Sequence, residues 1–503
     1  MGNITQYLAM GFEVATSPYN LLIALLGSFF GTVIGLLPGL GPINGVAMLI
    51  PIAFALQMPP ESALILLAAV YVGTEYGGRI ASILINVPGD AAAVMTTLDG
   101  YPLTKKGLAN VALSLSAWAS FLGSMLAFFG IVIFAPLLAN WALAFGPAEY
   151  FALMVFAFCC LTGLLGADPI KGLIAALLGL LISTIGVDSN SGLYRFTFDL
   201  PNLADGLSFI VVVIALFAVS EMLQLLENSL TGAKITYPQS ERKLFNLQEL
   251  KFTLPATLRS AVTGFGLGVL PGAGASVASA LTYANEKKIA AKDPNSCFGE
   301  GDLRGLAAPE AANNAAATGS FIPMLTLGVP GSGTTAVMMG ALTLYNITPG
   351  PVLFEQQPAL VWGFIASLFV ANIILVILNI PLVRYFSKVL SLPVWLLVPL
   401  VISISFIGVY AINATTFDLV AISLLGLVGY FLRKVNIPMA PLILGVVLGN
   451  LMEQNLRRAL SMTNGDLSIL IESGISKGFW IAAIAVLGVP LLLKLKRKFK
   501  SNN

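Results

Sequence analysis

Long apolar runs interrupted by short Pro-Gly steps set the pattern of this chain. Two of the interruptions match. One is Leu-Gly-Val-Pro-Gly-Ser-Gly-Thr-Thr (327–335), within the stretch 307–351. The other is Ile-Asn-Val-Pro-Gly-Asp (85–90), within 76–90. In each, an apolar run is cut by Val-Pro-Gly, followed by a polar step and a second apolar run of small residues. Uncut runs such as 207–226 and 360–382 are long enough to cross a hydrocarbon core, which takes roughly 20 residues. The pattern predicts an all-α polytopic membrane protein with broken or re-entrant helical hairpins. Broken helices at membrane depth are tolerated only where they are buried or line a cavity.

An internal repeat organises these elements. Gly-Leu-Leu-Pro-Gly-Leu-Gly (35–41) recurs as Gly-Val-Leu-Pro-Gly-Ala-Gly (268–274), with Pro38 and Pro271 233 residues apart. Pro88 and Pro330, the prolines of the Val-Pro-Gly steps, are 242 apart. The difference matches an extra polar loop at 286–304. We therefore expect a first transmembrane repeat at 1–226 and a polar linker at 227–257. A second repeat should span 258–475, with an extra C-terminal helix and basic tail at 476–503. Later apolar runs continue the correspondence: 108–141, 148–166, 170–186 and 207–226 against 360–385, 394–410, 417–432 and 438–452. Residues 1–20 lack the charged start and cleavage site of a signal peptide, so the run 21–37 is expected to remain as a helix.

Lysine and arginine suggest how the halves sit, because they concentrate on cytoplasmic loops. In the first half the loop between motifs (57–61) has no cation, and the next has Lys105 and Lys106. In the second half the loop between motifs has Lys287, Lys288, Lys292 and Arg304, and the next (346–358) has none. The reversal predicts two inverted-topology repeats, with the N-terminus outside and the C-terminus inside. Lys171, Arg384, Lys388, Arg433, Lys434 and the tail 494–500 agree, whereas Arg457 and Arg458 run against it. A parallel repeat is the alternative.

Composition narrows the function classes. The chain is 57% apolar and 10% charged, against about 25% charged in soluble domains. Its net charge of +2 gives no argument for a nucleic-acid partner. The chain has no histidine, which removes the commonest general base and metal ligand. Its three cysteines form no metal or disulfide framework. An enzyme and a bound metal or organic cofactor are therefore not expected.

Candidate chemistry sits at the breaks. Proline removes a backbone donor and ends the incoming helix, and glycine lets the backbone turn tightly against a ligand. A helix restarting there offers free N–H groups and a positive dipole end, a carboxylate site without a cationic side chain. Such interruptions at matching positions of two halves point to a transporter's substrate site. The candidates for substrate are Pro330, Gly331, Ser332, Gly333, Thr334 and Thr335 in the second half, with Asn86, Pro88 and Gly89 in the first. Pro38, Gly39, Gly41 and Asn44, and Pro271, Gly272, Gly274 and Ser276, follow the same logic; as hairpin turns they would serve only helix packing. Intramembrane charges add Arg79 as a substrate contact and Glu75, Glu310, Asn313 and Asn314 as oxygen ligands for a coupling ion. Glu75 and Arg79 stand four apart and can instead pair with each other. The phosphate-loop likeness at 328–335 lacks its lysine, so no nucleotide is expected.

Taken together, Leu-Pro-Gly-Leu-Gly (37–41), Tyr-Gly-Gly (76–78), Asn-Val-Pro-Gly (86–89), Asp-Gly-Tyr-Pro (99–102) and Ala-Pro-Glu-Ala-Ala-Asn-Asn-Ala-Ala (308–316) carry a resemblance. So do 195–198, 327–332 and 453–460. Over about 18–466 the chain resembles the large membrane subunit of the tripartite tricarboxylate transporters. The resemblance implies a multi-pass protein of the bacterial inner membrane that imports di- or tricarboxylates such as citrate. It implies sodium or proton symport, a small membrane subunit and an extracytoplasmic solute-binding protein. Arg79 departs from the family's small residue after Tyr-Gly-Gly. A passive anion channel or pore is the alternative; an intramembrane enzyme would need a nucleophile beside a base.

Overall fold

A computed structural model describes residues 4–37, 39–165, 169–188, 190–229, 244–272, 274–381 and 394–501. Pro38, Arg384, Lys388 and residues 230–243 of the linker lie outside the described residues. Among the described residues the regular structure is helical but for one two-residue strand pair, Gly186–Val187 against Tyr194–Arg195.

The first half runs through α1 (Ile4–Ala15), α2 (Pro18–Leu36), α3 (Gly41–Ala55), α4 (Pro60–Ile85), α5 (Val94–Lys105), α6 (Ala109–Ala142), α7 (Pro147–Leu165) and α8 (Pro169–Ser183). After the hairpin come α9 (Phe209–Ile214), a π-helical turn (Ala215–Val219) and α10 (Ser220–Ser229). The second half contains α11 (Leu247–Val269), α12 (Gly274–Ala290), α13 (Leu303–Gly319), α14 (Phe321–Leu327), α15 (Gly333–Leu344) and the single turn α16 (Leu353–Gln356). It continues with α17 (Pro358–Asn379), α18 (Val394–Asn413), α19 (Thr416–Lys434) and α20 (Met439–Met462), and α21 (Gly474–Ser501) follows.

Among the described residues, α2, α4, α6, α17, α19 and the composite Phe209–Glu227 are long and apolar enough to cross a membrane. By contrast α5 and α15, twelve residues each, reach only about 18 Å at the helical rise. That is short of a hydrocarbon core of roughly 30 Å, as half-helices beyond a break must be.

The breaks repeat atom for atom. The Gly39 N–H donates to the Gly89 carbonyl at 3.2 Å, and the Gly272 N–H donates to the Gly331 carbonyl at 3.0 Å. Asn86 and Gly328 each end their helix in the left-handed region, at φ 59° and 63°. Asp90 Oδ1 accepts from the Ala93 N–H at 2.8 Å, and Ser332 Oγ from the Thr335 N–H at 3.2 Å. Helix packing repeats too. A Cβ on Gly35 would lie 2.1 Å from the Thr74 carbonyl oxygen, and one on Gly268 2.3 Å from that of Ala316. Every one of these pairs keeps the 233- or 242-residue spacing of the sequence motifs, so the duplication extends from sequence to geometry.

The two halves interleave. Helix α6 of the first packs on α13 of the second, and α17 packs back on α4. Likewise α8 packs on α20, and α19 on the π-helical turn. Asp99 ties them further: its carboxylate accepts from the backbone N–H groups of Gly299, Gly301 and Asp302, each at 2.8 Å, and from the Tyr283 hydroxyl at 2.9 Å. The unmatched helix α21 lies against α7.

The hairpin side carries an ionic cluster, with Arg195 and Arg457 on Glu453 at 2.8 and 2.6 Å and Arg457 also reaching Asp188. The Ser191 hydroxyl and the Asn190 amide hold the Asp188 carboxyl below its usual range. This cluster accounts for Arg457, one of the two cations that ran against the charge rule.

Candidate functional site

Both pairs of breaks meet at a single cavity of about 990 Å³. The N-terminal residues of five helices lie in its wall: Gly41 to Asn44 of α3, Val94 of α5, Gly274 to Ser276 of α12, Gly333 and Thr334 of α15, and Met439 and Ala440 of α20. The reason is local. Helices α3, α12, α15 and α20 start within two residues of a proline or Pro-Gly step, and α5 follows one after a short turn; each start leaves first-turn N–H groups without intrahelical partners. Ser332 shapes the α15 start through a capping box with Thr335, whose hydroxyl accepts from the Ser332 N–H at 2.8 Å.

Of the residues singled out from sequence, Gly39, Gly41, Asn44, Glu75, Pro88, Gly89, Gly274, Ser276, Ser332, Gly333 and Thr334 line the cavity. Pro271, Gly272, Pro330, Gly331 and Thr335 are buried behind it. They build the turns without facing the space. Asn86 is exposed and is the left-handed end of α4. The Asn44 amide donates to the Leu40 carbonyl, and its oxygen has no partner among the described residues.

Arg79 lies elsewhere. It is 0% exposed, and its guanidinium donates to the Leu113 carbonyl at 2.6 Å, Ser116 Oγ at 2.7 Å and Asn379 Oδ1 at 3.2 Å. It is not among the cavity-lining residues, and it forms no ion pair with Glu75 among the described residues. Its charge is instead drawn toward Glu310. That carboxylate accepts from Thr96 and, at 3.0 Å, from Ser120. Arg79 and Glu310 thus form the core of a polar knot joining α4, α5, α6, α13 and α17.

Asn313 and Asn314 are buried on α13. Neither side-chain atom of Asn313, nor the Asn314 oxygen, has a partner by hydrogen-bond geometry among the described residues, and Glu75 Oε2 is likewise unpaired. Glu75 nevertheless interacts electrostatically with both Asp90 and Asn313. Glu75 and Asp90 line the cavity wall, and Asn313 is buried.

The wall also holds polar residues that were not candidates from sequence, among them Tyr71, Asp90, Lys171, Glu221, Gln224, Arg433 and Asn436. Asp90 was within reach, because it stands 242 residues before Ser332 and accepts from the Ala93 N–H just ahead of α5, as Ser332 accepts from the Thr335 N–H. The Tyr71 hydroxyl lies 3.2 Å from Ser332 Oγ and carries the first half into the second half's break. Lys171 and Arg433 counted only as loop cations; no local signal places them in a cavity with breaks so distant in sequence.

The chain is 38% identical over 498 residues to an uncharacterized 52.8 kDa protein in the TAR-I ttuC' 3' region of Agrobacterium vitis, covering 99% of this chain and 98% of that protein. It is 44% identical over 232 residues to an uncharacterized protein in the TAR-II ttuC' 3' region of the same organism, covering 46% of this chain and 95% of that one. No solved structure matches it. The model of the tripartite tricarboxylate transporter TctA family matches residues 21–444. The chain, with its paired breaks around one cavity, therefore belongs to the tripartite tricarboxylate transporter TctA family.

Proposed function

We propose that this protein is the large transmembrane subunit of a binding-protein-dependent importer of organic di- or tricarboxylates, driven by an ion gradient. The convergence of five helix N-termini on one cavity carries this proposal, since free N–H groups and positive dipole ends favour carboxylates. The hydroxyls of Ser332, Thr334 and Ser276 supply further donors. The wall also contains three carboxylates, Glu75, Asp90 and Glu221, against two cations, Lys171 and Arg433. An anion entering alone would meet net negative charge. An accompanying sodium ion or proton at Glu75, Asp90 and Asn313 removes that obstacle, which is the physical case for symport. It also counts against a passive anion pore.

Lys171, Arg433 and Lys434 set the cavity mouth on the cytoplasmic face of a bacterial inner membrane. The duplicated breaks then belong to inverted repeats that reach the site from opposite faces. The small membrane subunit and the extracytoplasmic binding protein are the partners that the family's tripartite character calls for.

Two measurements bear on this directly. Ser332→Ala with Thr334→Ala removes two donors and should weaken carboxylate affinity roughly tenfold, with the protein still inserted because a lost cap costs only about 1 kcal/mol. Unchanged affinity would remove the hydroxyls from the site. Glu75→Gln should change the sodium and pH dependence of uptake into proteoliposomes. An identical profile would clear Glu75 of any part in coupling.

A further inference from the structure

Arg433 is the one guanidinium among the described cavity-lining residues. It stands in the last turn of α19 and reaches across to α10. Its Nε donates to Ser220 Oγ at 2.8 Å and one terminal nitrogen donates to the Leu216 carbonyl at 3.3 Å. Leu216 lies in the π-helical turn, where the wider winding frees carbonyls from their ordinary helical partners. The other terminal nitrogen pairs with Glu221 at 2.5 Å. The second Glu221 oxygen, Oε1, packs on the first break, where a Cβ on Gly39 would come within 2.7 Å of it. A glycine at that position lets the carboxylate lie against the loop.

Two of the three anchors therefore fix the guanidinium, and the third edge is held by a carboxylate. The pair is reachable from the cavity, with side chains 20% and 14% exposed, whereas Arg79 is sealed.

Resting on the carboxylate reading above, we propose that Arg433 is the contact that selects multiply charged carboxylates, and that Glu221 is its stand-in partner until a substrate carboxylate displaces it. A bare guanidinium in a poorly solvated cavity is costly, and exchanging one carboxylate for another avoids exposing it. The bidentate fork of arginine suits this exchange better than a lysine does. Displaced Glu221 also releases its hold beside Gly39, so occupancy of the cavity is felt at the first break.

The test is isothermal titration of the purified protein in nanodiscs with citrate, succinate and butyrate, with sodium present. Wild-type protein should prefer citrate and succinate to butyrate. Arg433→Gln should lose roughly tenfold or more in citrate affinity and flatten the preference among the three acids, with Arg433→Lys in between. Glu221→Gln should tighten citrate several-fold by removing the competitor, an effect that a merely structural ion pair would not produce. If Arg433→Gln does not fold, Glu221→Gln decides alone. Wild-type citrate affinity in Arg433→Gln or in Glu221→Gln would overturn the inference and leave the carboxylate site standing. Wild-type protein that binds none of the three acids would overturn the proposed function, and this inference with it.

Discussion

Replacing Arg79 with methionine is expected to destabilise the protein by about 3–5 kcal/mol, the range for removing one partner of a buried charged network. Methionine keeps much of the length and apolar stem. It takes the guanidinium donor from Ser116, Asn379 and the Leu113 carbonyl, which keeps only Ser116 Oγ, and leaves Glu310 without its counter-charge. Thermal or denaturant unfolding in detergent reads the loss directly. Arg79→Met combined with Glu310→Gln should recover part of it, because the second change removes the stranded charge. A fully stable Arg79→Met protein with selectively lost citrate binding would return Arg79 to the substrate site.

A second large effect is expected from a single methyl group. Gly268→Ala puts a Cβ 2.3 Å from the Ala316 carbonyl oxygen, and neither helix backbone can yield without parting α11 from α13. The expected loss exceeds the roughly 1–3 kcal/mol of ordinary overpacking and should abolish a monodisperse size-exclusion peak. Gly266→Ala is the matched control: same helix, same change, nothing within 4 Å of the new atom. Equal behaviour of the two variants would mean that the close approach of α11 and α13 does not exist.

The breaks and the repeat were legible because both are local. Pro-Gly steps announce themselves, and two fixed spacings are visible in the sequence alone. The structure adds that the same spacings govern hydrogen bonds, caps and glycine contacts. Other features were not legible because they depend on which helix meets which. Glu75 and Arg79 share a helix at pairing distance, yet Arg79 turns to α6, α17 and Glu310. The π-helical turn has no marker in the run 207–226. Arg433 looked like an ordinary loop cation because the arrangement that brings α19 to α10 lies in the tertiary fold. Asp99 looked like part of a motif of unknown purpose until the loop it holds was in view.

The interleaving of α6 with α13 and of α17 with α4 has a consequence for biogenesis. While the ribosome is still making the second half, the first half sits in the bilayer with its glycine grooves only partly filled. Asn379 and Glu310 have not yet arrived to meet Arg79. Neither half is a finished object, so assembly resembles closing a clasp more than stacking two parts.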